Sequence, residues 1–413
     1  MPDVVTLGAA YSANKGAASM LQGLVDNLGS WLGPTRVVAV STHAERDRPV
    51  VARAELTVEV ASQRPVELAL VHFPLALLAG GLRTAHLPWR CLLRPAALRA
   101  IADADVVADI SGISFVDGRR PVVLVYNALV DLVPLLLGRP VVKCAQAMGP
   151  FKSQLNRRLA SLVLPRLAAV CPRGEATRRH LDDLGLTNQV PANDLAFTMV
   201  VPERAEQRAA ELLAAGGAGP YIVVSPSQVV DTACTARDID YAGHLAGAID
   251  GLVERYPTHT VVIVAHSAMP GVGVNHMNDL PLCRAIHDGT RHREQVHLID
   301  DDLLPTELRA VIGKGDVLVT SRFHAMISAL AEGVPPVVIG WSHKYAEILD
   351  PFGLGEVATT YDELAKPNAV LDRTIAVMER APELRTRIAA HLPQARAEAD
   401  HNFPPLAKAV TAA

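Results

Sequence analysis

Short, continuously apolar runs rich in Val and Ile recur along this chain, and each hands over to a helix-like segment. "DVVTLGAA" (Asp3–Ala10), "RVVAVST", "ADVVADISG" (Ala104–Gly112), "RPVVKCAQAMG" (Arg139–Gly149) and "LAAVCPRG" (Leu167–Gly174) read as strands. Strands that are apolar on both faces and separated by helices predict a parallel sheet covered on both sides. The pattern pauses at Val200–Tyr221, a polar, Ala-rich stretch ending in Gly and Pro, which reads as a boundary. A second series follows: "YIVVSPS", "HTVVIVAHS", "QVHLID", "DVLVTS" and "PPVVIGW". At roughly 100–200 residues per domain, 413 residues suit two domains. The expectation is an α/β protein of two doubly wound domains facing a central cleft. The predicted bounds are 1–202, a linker at 203–219, a second domain at 220–375, and helices at 376–413 packing across both. In such sheets ligands bind beyond the carboxyl ends of the strands, so each loop after a strand is a candidate site. The chain has no G-x-G-x-x-G and no G-x-x-x-x-G-K-[ST], which argues against a standard dinucleotide fold or a P-loop.

Net charge is −4 and no long basic run occurs, so nothing global attracts nucleic acid. The five cysteines, Cys91, Cys144, Cys171, Cys234 and Cys283, are scattered and never spaced C-x-x-C. That argues against a disulfide framework or a cysteine zinc site and fits a reducing cytoplasm. The N-terminus lacks a charged region followed by a long apolar core, so no signal peptide is expected. The segment Val66–Leu82 is the greasiest early stretch, yet it contains Glu67, His72 and Pro74 and falls short of the about 20 apolar residues of a spanning helix. It reads as a buried helix or hairpin, with a surface that dips into a membrane as the alternative.

The stretch "VLVTSRFHAMISALAEGVPPVVIGWSHKYAEIL" (Val317–Leu349) carries the densest chemistry. Phe323, Met326, Ile327 and Leu330 recur at the spacing of one buried helix face, and Thr320 or Ser321 suits the N-cap. Arg322 and His324 then sit at a helix N-terminus beyond a strand, where free N–H groups and the helix dipole favour anions. Arginine adds a planar fork for phosphate or carboxylate, and histidine can carry a proton near neutral pH. The competing reading is an arginine paired to a nearby acid and a histidine satisfied in the core. Other strand ends offer Arg173; Asp117, five residues past Gly112, as a base; and Asn14 and Gly16, for which a helix cap is the simpler account. They also offer Ser111 and Gly112, small enough to let a backbone approach a ligand; Gln146; and His343 with Lys344. His266, His276 and Asp279 are too loosely spaced for a metal site, and no metal is expected. Arg173, Arg322 and Lys344 supply positive charge while Asp117 and His324 can move protons. Together they describe a site for a doubly anionic small molecule.

With these residues in view, the chain resembles the polysaccharide pyruvyltransferase family. "TSRFHAMISALAEGVPPVVIGWSHKYAEILDPFGL" (Thr320–Leu354) is similar to its S-R-[FL]-H-x-x-x-x-A-x-x-x-G-V-P pattern with a following lysine. Weaker echoes run in order: "NKG", "DISGISFVD", "AQAMGP", "PRGEAT" and "PANDLAF". Two departures stand out: "SGIS" replaces a glycine-rich loop, and Ala17 stands where an acid is usual. The resemblance implies a GT-B-like architecture of two Rossmann-like domains, the first holding the acceptor and the second the donor. It implies transfer of the pyruvyl group of phosphoenolpyruvate to two hydroxyls of a sugar, giving a cyclic ketal and phosphate without a further cofactor. The acceptor would be a polysaccharide, oligosaccharide or glycolipid precursor, met in the cytoplasm or at the inner face of the membrane through peripheral contact. On this resemblance Arg173 and Arg322 hold the donor's anionic groups, His324 is the acid, Asp117 the base, and Lys344 neutralises the departing phosphate. Asn14, Gly16, Ser111, Gly112, Gln146 and Ser321 line the substrates, and His266 and His343 have no assigned role. The nearest rivals are a GT-B glycosyltransferase or sugar-nucleotide epimerase, for which "EGVPPVVIG" is also common, and a non-catalytic binding protein on the same fold.

Overall fold

The computed structural model describes residues 1–269, 271–273, 275, 278–339, 344–366 and 368–412. The chain divides into two compact units. The first comprises residues 1–12, 20–199 and 395–413, and the second 13–19 and 200–394. This differs from the expected bounds in three ways. Residues 13–19, which open the Lys15–Leu32 helix, group with the second unit. The presumed linker is the Glu203–Ala214 helix, whose Ala209, Leu212 and Leu213 join the second unit's core. The Ala381–Asp400 helix is divided at residue 394.

In the first unit the strands are β1 (Asp3–Leu7), β2 (Arg36–Ser41), β3 (Val58–Ser62), β4 (Val106–Asp109), β5 (Ile113–Val116), β6 (Val141–Gly149) and β7 (Ala169–Pro172). They lie in the order β3-β2-β1-β4-β6-β5, with β7 also paired to β6, and every pairing is parallel. Val5, Val38, Val107, Val141 and Val170 from the sheet pack with Ile101, Val133 and Val163 from the helices. Burial on both sheet faces accounts for the unbroken apolar runs. β3 and β5 escaped the sequence reading. β3 is an edge strand, half-exposed with Glu59 outward, and β5 is a four-residue strand opened by the small residues after β4.

The second unit repeats the plan with β8 (Tyr221–Ser225), β9 (Thr260–Val264), β10 (Val296–Ile299), β11 (Gly315–Thr320), β12 (Pro336–Ile339) and β13 (Ala358–Thr359). Their order is β10-β9-β8-β11-β12-β13, again all parallel. Chain order reverses on either side of β8, so the loops after β8 and β11 open at a switch point, the usual place for a ligand in an open α/β sheet.

The Val66–Leu82 segment corrects the first expectation made for it. It lies in a continuous helix, Pro65–Thr84, with a π-helical turn at Leu68–His72, and only 28% of its most apolar 18-residue window is buried. By length and composition it is the one helix among the described residues apolar enough to cross a membrane.

Candidate functional site

The second unit gathers the basic residues. Its Phe323–Ala331 helix follows β11 and is buried from Phe323 and Ala325 onward; His324 is its half-buried member. The cap position falls on Arg322, not Thr320 or Ser321. Thr320 Oγ1 accepts from the Arg322 N–H at 2.9 Å, and Ser321 is buried, sharing a 2.7 Å hydroxyl bond with Tyr241 while its carbonyl accepts from Tyr345. Ser321 therefore shapes the strand-to-helix turn rather than offering a free hydroxyl.

The Arg322 guanidinium is 15% exposed and bonds through Nη2 to the fully buried Asp279. Asp279 is itself held by the N–H groups of Gln228 and Ser267, each at 2.9 Å. The paired-arginine alternative is thus realised in part. The carboxylate fixes one edge of the fork, while the buried Nε has no hydrogen-bond partner among the described residues. A buried donor left unmade is costly, which favours an anion here.

The other half of the cluster comes from residues 13–19. Asn14 caps the Lys15–Leu32 helix, its Oδ1 accepting from Gly16 N–H at 2.9 Å, so the cap account of Asn14 holds. Lys15 is 1% exposed and pairs with Asp302, after β10, at 2.6 Å. Gly16 lies against the His324 imidazole so closely that a Cβ there would collide with Nδ1. Two helix N-termini therefore abut. Gly16→Ala is expected to cost about 1–3 kcal/mol through this overpacking, read as a lower urea midpoint; an unchanged midpoint would show that the ring moves aside freely.

His266, at the end of β9, completes the group. Burial first, then the charges of His324, Arg322 and Lys15, push its pKa well below the ordinary imidazole value, so it is neutral at neutral pH. Lys344 opens the Lys344–Leu349 helix with Nζ 5.0 Å from the Phe323 ring centroid. His276 and His343 lie outside the described residues.

The remaining expected residues belong to the first unit and do a different job. Asp117 is already engaged: its carboxylate accepts from the N–H groups of Lys152 and Ser153 and from Asn156 Nδ2 (2.9 Å), tying down the segment that leads into the Gln154–Val163 helix. Arg173 is 4% exposed and bonded to the buried Asp194, so its charge is already matched inside the fold. Gln146 is fully buried, donating to the Asp109 carbonyl at 2.9 Å and accepting from Ser114. Ser111 donates its N–H and hydroxyl to Asp109. Gly112 adopts a left-handed φ of +70°.

Behind them sits a buried triad that the sequence reading did not single out. Lys143 on β6 pairs with Asp109 on β4 and, at 2.8 Å, with Asp131 of the Pro121–Leu136 helix, all 1% exposed or less. Burial pushes the Asp131 carboxyl up to about 7, with Asp109 adding and Lys143 opposing. Burial opposes charge on Asp109 too, but Lys143 outweighs it and holds Asp109 below the usual carboxylate range.

The comparisons with known proteins fit this geometry. Two parallel-sheet α/β units define a GT-B-like fold. The UDP-GlcNAc 2-epimerase of Neisseria meningitidis, solved bound to UDP-GlcNAc, superposes with a TM-score of 0.64 at 13% identity over 99% of this chain and 100% of that one. The epimerase of Methanocaldococcus jannaschii gives 0.57 at 12%, covering 91% and 92%. A trehalose 6-phosphate synthase of Burkholderia multivorans gives 0.54 at 12%, covering 100% and 99%. At such identities the likeness shows the fold alone. The family model for polysaccharide pyruvyl transferase matches residues 60–343. The chain belongs to the polysaccharide pyruvyl transferase family, and so to the transferases.

Proposed function

We propose that this protein moves the pyruvyl group of phosphoenolpyruvate onto two hydroxyls of one sugar, in a polysaccharide, oligosaccharide or glycolipid precursor. The observation that carries this reading is the cluster of Lys15, Arg322 and His324 at two abutting helix N-termini in a chain of this family. Phosphoenolpyruvate brings a phosphate and a carboxylate. Preorganised cations and N–H groups suit both, and they cost no reorganisation as charge develops. Arg322 offers its Nε, which has no hydrogen-bond partner among the described residues; Lys15, its charge matched by Asp302 at 2.6 Å, fixes the helix N-terminus; and Lys344 brings a charge for the departing phosphate.

His324 donates a proton to the methylene carbon, which becomes the methyl group and leaves C2 electrophilic. One sugar hydroxyl adds to C2 and loses its proton. The C2–O bond to phosphate breaks, and the second hydroxyl adds and loses its own proton. Of the two protons released, one restores His324 and the other leaves with phosphate, so the sum is ketal plus phosphate. Asp117 and Arg173 take no part in this reading, because both are committed to bonds that hold the first unit.

Isothermal titration of phosphoenolpyruvate into the wild type and Arg322→Lys tests it. Lysine keeps a charge for Asp279 but loses the fork. Wild-type binding, weakened at least about tenfold in the variant, is expected for a lost charge-assisted bond. If the wild type gave no heat even with acceptor sugars present, yet bound a uridine sugar nucleotide, the glycosyltransferase or epimerase alternative would replace this one.

A further inference from the structure

The Pro65–Thr84 helix is turned inside out. Its inward residues are Leu68, His72 and the small Ala76, Ala79 and Gly80. Its outward ones from Ala69 to Leu78 are Ala69, Leu70, Val71, Pro74, Leu77 and Leu78, without a polar side chain among them. Leu70 is 72% exposed, Leu77 54% and Leu78 53%. A second apolar surface adjoins it. The C-terminal ends of this helix and of the Pro121–Leu136 helix touch, since a Cβ on Gly80 would meet the Leu136 carbonyl and one on Gly138 the Arg83 guanidinium. The π-turn also packs on the Pro121–Leu136 helix, so the two helices run side by side in the same direction. Val66 and Leu70 on the first helix and Val122, Val123 and Val125 on the second are all exposed.

Each helix opens with the same three residues, Arg64-Pro65-Val66 and Arg120-Pro121-Val122, directly after the carboxyl ends of β3 and β5. Arg119 precedes the second of these. Arg64, Arg119 and Arg120 are exposed, and neither Arg119 nor Arg120 forms an ion pair among the described residues.

We propose that this paired apolar face, rimmed by Arg64, Arg119 and Arg120, docks onto an anionic lipid bilayer. A protein partner would be met by an apolar core within a polar, hydrogen-bonding rim. From Ala69 to Leu78 the outward face offers no side-chain hydrogen bond, which suits hydrocarbon, where none can be returned. Arginines at the border suit lipid phosphates and the negative surface of an anionic leaflet. Because its inner side packs on the fold, the helix lies in the interface and does not cross it. The docking deepens the reading given under Proposed function, since it would bring the carboxyl ends of β3 and β5 to a lipid-linked acceptor sugar.

The test is sedimentation of the full chain with vesicles of phosphatidylcholine alone and of phosphatidylcholine with phosphatidylglycerol, without donor or acceptor. Binding to the anionic vesicles is expected, falling at least about tenfold in Leu70→Glu/Leu77→Glu. Each of Arg119→Gln and Arg120→Gln should weaken it about fivefold at low salt. The leucines are exposed, so the variant's circular dichroism melt should match the wild type. Failure of the wild type to sediment, or undiminished sedimentation of the leucine variant, overturns the proposal. So does a wild-type dimer in light scattering that the leucine variant dissociates, which would give the face to a second copy. Titration with phosphoenolpyruvate should be the same in wild type and leucine variant. Vesicle binding without phosphoenolpyruvate binding would sink the transfer reading and leave the docking face standing, and the converse would sink only the docking.

Discussion

Replacing His324 with glutamine is expected to slow pyruvyl transfer by about 10²–10⁴-fold, the usual worth of a positioned general acid, while phosphoenolpyruvate still binds. Among the described residues two imidazoles lie in the cluster, and their surroundings divide the labour. His266 is sealed in and kept neutral by burial and by the positive charges around it, so it has no proton to give at neutral pH. His324 stands half-buried on the first turn of its helix, with its ring against Gly16 and edge-on to Phe323, centroids 5.2 Å apart. A ring fixed from two sides is preorganised for transfer to one carbon. The reaction reports that transfer directly: in D₂O the new methyl group should carry one deuterium from solvent. Single-turnover quench with mass spectrometry on wild type, His324→Gln and His266→Gln separates the roles. If His324→Gln stayed within about twofold of wild type, or if His266→Gln alone abolished deuterium uptake, His324 would not be the acid.

The sequence made the strand-end chemistry legible because Arg322 and His324 are one residue apart at a strand-to-helix handover, and a local pattern needs no long-range knowledge. Lys15, within "NKG", carries no local signal, since its partner Asp302 lies 287 residues away and only the fold joins them. Lys143, Asp131 and Asp109 did leave a signal. Each is a single charge inside an otherwise apolar run, "VVKCAQ", "LVDLVP" and "VVADIS", and charges are almost never fully buried unless paired. Asp117 misled for the opposite reason. An aspartate before Gly118 in a loop after a strand fits a base and a turn residue equally well, and its bonds to Lys152, Ser153 and Asn156 are set by the fold rather than by local sequence. The Ala-rich stretch after Pro202 reads as a linker because it ends in Gly and Pro, but those residues follow a helix whose Ala209 and Leu212 belong to the core. The helix at Pro65–Thr84 shows the limit of composition: hydropathy marks it as apolar and cannot say which side faces out.

Replacing Lys143 with methionine is expected to cost about 3–5 kcal/mol, because it leaves the Asp109 carboxylate in a dry interior without its cation. The ammonium is buried between Asp109 and Asp131 and lies 5.5 Å from the centroid of the Phe115 ring, so no water can take its place cheaply. Asp131→Asn should be mild by comparison. With its carboxyl pushed up to about 7, Asp131 is largely protonated in the fold below neutrality, and asparagine resembles that form. The pH dependence follows with a definite sign. Between about 4, where a free aspartate ionises, and about 7, the folded chain holds a proton on Asp131 that the unfolded chain has released. The Asp131 contribution is therefore fully present at the acid end and is lost as pH rises through that window. Asp131→Asn should flatten that slope, whereas Lys143→Met should lower the urea midpoint throughout. The combination Asp109→Asn/Asp131→Asn/Lys143→Met should recover much of the loss, since a buried ion cluster replaced as a whole is often close to neutral. If Lys143→Met unfolded at the wild-type midpoint, Asp109 would have to reach solvent in the variant, and the serine, glycine and glutamine arranged around it would be lining an accessible pocket instead of a sealed core.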